Sequence, residues 1–321
     1  MNLNTWKGKT FRFLTAQTIS LFGSSLVQYA IVWYITLTTS SGKMLTTSTL
    51  CGFLPQILIS LFAGVWIDRY DRKRLIMLSD GVIAFSTLLL ALVFLSGYKN
   101  IWFLFAVLII RSAGTGIQTP AVNAIFPQLV PKEHLMRMNG LNSTLSSFMM
   151  FLSPAAGGAI LSAAPLEAAL FIDVVTAVIG ISITFAIKIP PYAPSDVKEE
   201  SNFHKIAEGI SYIKENPFIK RLLVYQILIL FLISPSAFLT PLMVSRTFGA
   251  QVWRLTMSEM TYSLGMVLGG ILIASWGGFK NHLHTTLLAG SVYGAIMIGL
   301  GTAPVFLVYL LFNTMIGVTY P

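Results

Sequence analysis

The chain has 321 residues, of which 55% are hydrophobic and only 10% are charged, so its composition indicates an integral membrane protein and excludes a soluble domain. The formal net charge of +9 does not indicate nucleic-acid binding, because most of the cations fall in the loops on one side of the predicted membrane. The single cysteine, Cys51, excludes an internal disulfide.

Ten apolar runs are long enough to be membrane spans, since a spanning helix needs about 20 mostly apolar residues. They predict an all-α integral membrane protein whose N-terminus is cytoplasmic, because every second gap then carries the basic residues on the cytoplasmic side. In chain order the predicted spans are 11–37, 48–67, 75–96, 101–125, 138–163, 166–187, 218–244, 257–275, 285–302 and 305 onward.

The longest gap between spans, 188–217, predicts a cytoplasmic linker. Three prolines at 190–194 oppose helix formation, and apolar residues then recur at helical spacing over 203–213. This pattern favours an amphipathic helix on the membrane surface, and a disordered tether is the alternative. The linker divides the chain into a six-helix N-terminal bundle, 1–187, and an incomplete C-terminal bundle of about four helices, 218–321.

The densest charge cluster lies between the second and third spans, where 68–74 contain six charges in seven residues. Such a loop is too polar for hydrocarbon and predicts a tight cytoplasmic hairpin. The pattern resembles the signature loop between helices 2 and 3 of the major facilitator superfamily, with Asp71 where many members have glycine. That resemblance implies a loop that acts as a conformational switch, through Gly64, Asp68, Arg69, Arg72 and Lys73.

Arg111 falls near the middle of the fourth span, where a charge is costly and requires a partner in the protein interior. The segment 111–116 resembles the superfamily's fourth-helix motif, whose arginine is associated with proton coupling. Asp173, in the sixth span, is the natural partner of Arg111. A carboxylate that is desolvated in this way is also suited to carry a proton. A purely structural ion pair for Arg111 and a helix–helix hydrogen bond for Asp173 remain as alternatives.

Two further acids are given structural roles. Asp80 lies one and a half turns beyond Arg74, which predicts an interface with the cytoplasmic cations. Glu259 follows Thr256 by three positions, an arrangement typical of a capping box, so a helix cap at the start of the eighth span is favoured over proton transfer.

Glycines at regular spacing mark two spans. In the eighth span, Gly265 and Gly269 are four residues apart and predict close helix packing in lipid. The fifth span resembles the antiporter motif of the superfamily, which marks exporters, and its proline permits a bend. Met149 and Ser153 replace two glycines of that motif. The positions that fit it are Gly140, Pro154, Gly157 and Gly158.

Enzymatic chemistry has little support in the sequence. The chain contains no phosphate-binding glycine loop, no Gly-x-Ser-x-Gly elbow and no His-Glu-x-x-His zinc motif. His282 and His284 form a weak metal pair without an evident third ligand. We therefore predict no enzyme activity, no cofactor, no metal and no ATP site, which leaves an ion gradient as the energy source.

Along its whole length the chain resembles the macrolide-efflux (Mef-type) proteins of the drug-exporting branch. The resemblance implies a multi-pass cell-membrane antiporter that exchanges protons for amphipathic drugs, of the macrolide antibiotic type, by alternating access. Superfamily members commonly have twelve helices, so the chain looks C-terminally truncated. Export of a siderophore, peptide or metabolite, or a non-transporting remnant, are the alternatives. The similar stretches are 17–20, 53–55, 68–73, 111–121 and 172–174.

Overall fold

A computed structural model describes residues 5–189, 211–276, 279 and 282–320. Every predicted span falls on a helix within these ranges, which confirms the all-α fold; the predicted linker helix lies almost entirely outside them. A short 3₁₀ turn, Lys132–His134, precedes α5. The helices are α1 Trp6–Thr39, α2 Gly42–Arg69, α3 Arg72–Leu95, α4 Ile101–Leu129, α5 Leu135–Ala163, α6 Leu166–Ala186, α7 Pro217–Thr247, α8 Val252–Trp276, α9 His282–Gly301 and α10 Phe306–Val318.

Length and composition make seven of the described helices suitable for crossing a membrane, namely α1 to α6 and α8. Two shorter apolar helices, Thr285–Gly301 and Phe306–Val318, follow them. The chain forms two compact units, one of Met1–Tyr192 with Pro241–Pro321 and the other of Ala193–Thr240. The division into two bundles at 188–217 stays a prediction.

Polar residues fix the turns between the first four helices. Asp71, which stands where glycine was expected, is the N-cap of α3 and accepts a hydrogen bond of 2.9 Å from the Arg74 amide. Asn100 caps α4 in the same way through the Trp102 amide, at 3.0 Å. The charged hairpin between α2 and α3 is therefore closed by an acid side chain rather than by a flexible glycine.

Small residues let α1 and α6 approach closely. A methyl group at Gly23 would lie 1.9 Å from the Thr176 hydroxyl oxygen, and one at Gly180 would lie 3.0 Å from the Ala16 carbonyl oxygen. In lipid, where apolar burial does not drive helices together, such contacts stabilise a bundle through van der Waals packing. This close packing positions the polar side chains of α1 against α6.

The predicted close packing at Gly265 and Gly269 is confirmed. Methyl groups at these positions would lie 2.1 Å from the Thr314 carbonyl oxygen and 2.3 Å from the Val318 carbonyl oxygen. Both residues belong to α10, and Val318 is its last residue. A methyl group at Gly317 of α10 would lie 2.2 Å from the Tyr262 carbonyl oxygen. The two helices therefore contact each other almost backbone to backbone.

Candidate functional site

Arg111 is buried at the crossing of four helices, with only 4% of its surface exposed. Its guanidinium donates from Nη1 to the Asp173 carboxylate of α6 and to the Thr87 hydroxyl of α3. Nη2 donates to the Ser24 carbonyl oxygen of α1, at 3.1 Å. The arginine thus has the interior partners that a charge in a membrane helix requires.

Asp173 is fully buried and uses both carboxylate oxygens. Oδ2 binds Arg111, and Oδ1 accepts a hydrogen bond of 3.2 Å from the Ser24 hydroxyl. The α1 backbone reaches this acid because Gly23 has no side chain, and a methyl there would lie 3.1 Å from the Asp173 Cα. The structure therefore brings together the two residues that the sequence singled out. It adds Ser24 and Thr87, which the sequence did not identify.

Asp80 does not contact the cytoplasmic cations, so that prediction is wrong. Its side chain is only 2% exposed, and its Oδ1 accepts hydrogen bonds from the Ser20 hydroxyl at 2.9 Å and the Gln118 amide at 2.6 Å. Asp80 lies eight residues into α3, about 12 Å of helix rise from the loop. It lies on a face turned toward α1 and α4, away from the loop cations.

The cations of the α2–α3 hairpin bind backbone carbonyls of the helices that carry the buried pair. Arg72 donates from Nη1 to the Ala124 carbonyl of α4 at 2.7 Å. The Asp68 Oδ1 atom lies 3.9 Å from the Nη2 atom of Arg72. Lys73 donates to the carbonyls of Phe185 and Ile187 at the end of α6, at 2.8 Å each. A cation at the C-terminus of a helix also stabilises the helix dipole.

The other two residues of that hairpin motif have less definite surroundings. Arg69 is exposed in the last turn of α2. A methyl group at Gly64 would meet nothing within 4 Å, so packing in this structure does not require glycine there.

The residues of the antiporter-like motif are distributed along α5. Pro154 is buried inside the helix, and Gly157 faces α1, where a methyl would lie 3.5 Å from the Leu26 carbonyl oxygen. Gly158 faces α8 so closely that a methyl would lie 1.9 Å from the Thr256 hydroxyl oxygen. Gly140 has open space around it. The motif thus places α5 between α1 and α8, and its link to export stays a prediction.

The predicted capping box at Glu259 is wrong, because α8 begins four residues before Thr256, at Val252. The Thr256 hydroxyl donates to the Val252 carbonyl inside the helix, at 3.1 Å. The longer helix accommodates Arg254 by stacking its guanidinium 5.2 Å from the Trp253 ring centroid. The apolar run that predicted the eighth span starts at 257 and gave no indication of this additional helical turn.

Glu259 instead occupies the interior face of α8 and is partly buried. No hydrogen bond or ion pair joins it to any of the described residues. The side chains of Tyr29, Tyr262 and Tyr309 lie near its carboxylate. The opposite, exposed face of the helix consists of Met257, Leu264, Leu268 and Ile271.

Metal binding has no support in the part of the chain that the structure describes, where no group of three or more His, Cys, Asp or Glu side chains could hold an ion. The weak pair of His282 and His284 lies outside the described side chains.

Among solved structures, the chain is similar to a bacterial homolog of the human lysosomal transporter Spinster in an inward-facing, unoccupied conformation. The TM-score is 0.70 at 15% identity, over 99% of this chain and 73% of that one. A D-xylose–proton symporter matches with a TM-score of 0.66 at 13% identity, over 96% of this chain and 79% of that one. At these identities the likeness shows the fold.

Sequence relatives are closer. Macrolide efflux protein A of Streptococcus pyogenes is 33% identical over 292 residues, which are 90% of this chain and 71% of the relative. Macrolide efflux protein A of Enterococcus faecalis is 29% identical over 283 residues, or 87% of each chain. The Major Facilitator Superfamily pattern matches residues 13–321. The chain therefore belongs to the major facilitator superfamily and is a membrane transporter rather than an enzyme.

Proposed function

We propose that this chain exports amphipathic drugs, of the macrolide antibiotic type, across the cell membrane in exchange for protons. The observation that carries the proposal is the buried Arg111–Asp173 pair, which joins α4 to α6 inside a chain that is 33% identical to a protein named Macrolide efflux protein A. The substrate class comes from that relative, and the proton coupling comes from the buried pair.

Protonation of Asp173 is the proposed coupling event. A proton on this carboxylate cancels its charge and removes the charged partner of Arg111, which is only 4% exposed. Breaking a buried ion pair costs about 3–5 kcal/mol. Since about 1.4 kcal/mol changes an equilibrium constant tenfold, one proton would shift the balance between inward-facing and outward-facing states provided that the ion pair is intact in only one of them.

The α2–α3 hairpin is the proposed structural link between the pair and the conformational change. Arg72 holds α4, which carries Arg111, and Lys73 holds the end of α6, which carries Asp173. A movement of α4 relative to α6 would therefore strain these hydrogen bonds. This geometry supports the conformational-switch role inferred for the hairpin.

Drug binding is proposed at the aromatic residues where α1 meets α8 and α10. Tyr29 and Tyr262 are partly buried there, next to the partly buried Glu259. Aromatic faces and a carboxylate that has no cation partner among the described residues suit an amphipathic molecule with a basic amine.

Accumulation of a radiolabelled macrolide in a sensitive host tests the proposal. Cells that produce the chain should accumulate less drug than vector controls, and a protonophore should remove the difference. A difference that survives the protonophore would contradict proton coupling. Equal accumulation with and without the chain would favour the non-transporting remnant, and export of only siderophores or peptides from a compound panel would replace the substrate class.

A further inference from the structure

Helices α1, α3, α4 and α6 contain two polar layers, each built around a buried carboxylate. One layer consists of Ser24, Thr87, Arg111 and Asp173, and the other consists of Ser20, Asp80 and Gln118. Members of the two layers are four residues apart on α1 and seven residues apart on both α3 and α4. Residues at these spacings share a helix face, so the layers stack one to two turns apart.

The Asp80 layer is the one nearer to the α2–α3 hairpin, because α3 starts at that hairpin and Asp80 precedes Thr87. The two acids are close enough to interact electrostatically. Ser20 and Ser24, one helical turn apart on α1, each donate to one of them. Two hydroxyl groups therefore follow each other along α1 from Asp173 toward the hairpin.

The two carboxylates differ in how their oxygens are used. Asp173 has a partner on each oxygen and a cation among them. On Asp80 both donors, Ser20 and Gln118, bind Oδ1, and Oδ2 accepts no hydrogen bond from the described residues. Oδ2 is therefore available to a proton without the loss of either hydrogen bond.

Within the described part of the chain, charged groups on the neighbouring helices do not neutralise Asp80. On α4, Arg111 is bound to Asp173, and on α6, Glu167 is paired with Lys99 at 2.8 Å near the other end of the bundle. The cations of α1 lie in its first turns, at Lys7, Lys9 and Arg12. A buried carboxylate with only neutral donors is expensive to keep ionised.

We propose that Asp80 is a second proton-binding carboxylate, which exchanges protons with Asp173 and with the hairpin side of the membrane. The step rests on the proton coupling proposed above. Protonated Asp173 gives its proton to the Asp80 carboxylate, and the Asp173 carboxylate then restores its ion pair with Arg111. Asp80 subsequently releases the proton toward the hairpin, so charge and protons balance over the cycle.

Infrared absorption of protonated carboxyl groups tests the proposal independently of transport. The purified chain in lipid is titrated from mildly acidic to mildly alkaline pH, alongside Asp80→Asn and Ser20→Ala. We expect one carboxyl band to be lost in Asp80→Asn and to persist with a shifted titration in Ser20→Ala. Identical bands in Asp80→Asn and the unmodified chain would overturn the proposal, whether or not the chain transports macrolides.

A transport assay on the same variants separates a proton carrier from a structural residue. Asparagine keeps the Oδ1 acceptor for Ser20 and Gln118, so a merely structural Asp80 would tolerate the change. We expect Asp80→Asn to lose export against a drug gradient and to retain downhill drug flux. Export against the gradient at the unmodified rate would overturn a role for Asp80 in coupling, while absence of export from the unmodified chain would count against the proposed function only.

Discussion

The buried pair makes a sharp prediction for Arg111. In Arg111→Ala, Asp173 loses its cation and Thr87 and Ser24 lose their donor, so drug export should fall to the vector level while the protein still inserts. Arg111→Lys keeps the charge, but a single ammonium cannot reproduce the forked geometry, so we expect a partial loss. Drug accumulation, normalised to the membrane content of each variant, measures both effects.

Normal efflux from Arg111→Ala would contradict the coupling role and leave the pair as a structural contact. Loss of the protein from the membrane in that variant would instead show that the pair is needed for folding. In that case Asp173→Asn, which is similar in shape, serves as the second variant. It should insert and fail to export, because it cannot ionise.

Residue chemistry explains which parts of this site the sequence could predict. Arg111 stands out because it is a charge inside an apolar run. Ser24 and Thr87 give no such signal, since hydroxyl residues in helices commonly bond their own preceding turn, as Thr36 and Thr115 do here. The partners of Asp80 were predicted wrongly because Asp80 is close to the loop in sequence. The side of α3 on which Asp80 lies determines its partners instead.

Helices were more predictable than their ends and contacts. Long apolar runs in the sequence predicted the described helices α1 to α10, because a membrane span needs such a run whichever helices pack against it. The start of α8 was missed because Arg254 looks too polar for a span, although its stacking on Trp253 stabilises the first turn. The pairing of α5 with α8 had no sequence signal other than Gly158 itself.

The contact of α5 with α8 predicts opposite effects for two glycines of the same helix. Gly158→Ala places a methyl 1.9 Å from the Thr256 hydroxyl oxygen, so the Thr256 side chain or the helices must shift and the thermal midpoint of the purified protein should fall. Gly140→Ala is the matched control: it meets nothing within 4 Å and should be neutral or slightly stabilising, by up to about 1 kcal/mol.

A double variant distinguishes this clash from a general effect of alanine in α5. Thr256→Ala removes the hydroxyl oxygen, so part of the stability lost in Gly158→Ala should return when the two changes are combined. Additive losses in the double variant would show that the two residues do not meet, and the described packing of α5 on α8 would then be wrong.

At the scale of the whole molecule, the direction of the proton route depends on which side of the membrane the α2–α3 hairpin faces. The positive-inside rule predicts that its four cations lie in the cytoplasm. Cysteine labelling tests this orientation, because Cys51→Ser gives a background without cysteine. In intact cells an impermeant maleimide should label Tyr98→Cys, in the loop between α3 and α4, and should label Glu133→Cys only after permeabilisation.

The reverse labelling pattern would place the hairpin outside and would reverse the proposed order of the two carboxylates. With the hairpin inside, the Asp80 layer is the cytoplasmic one and the Arg111–Asp173 layer is the external one. A proton driven inward by its gradient would then reach Asp173 first and leave through Asp80, while drug moves outward. The order of the two acids along the bundle is thus consistent with export only in the orientation that the loop charges predict.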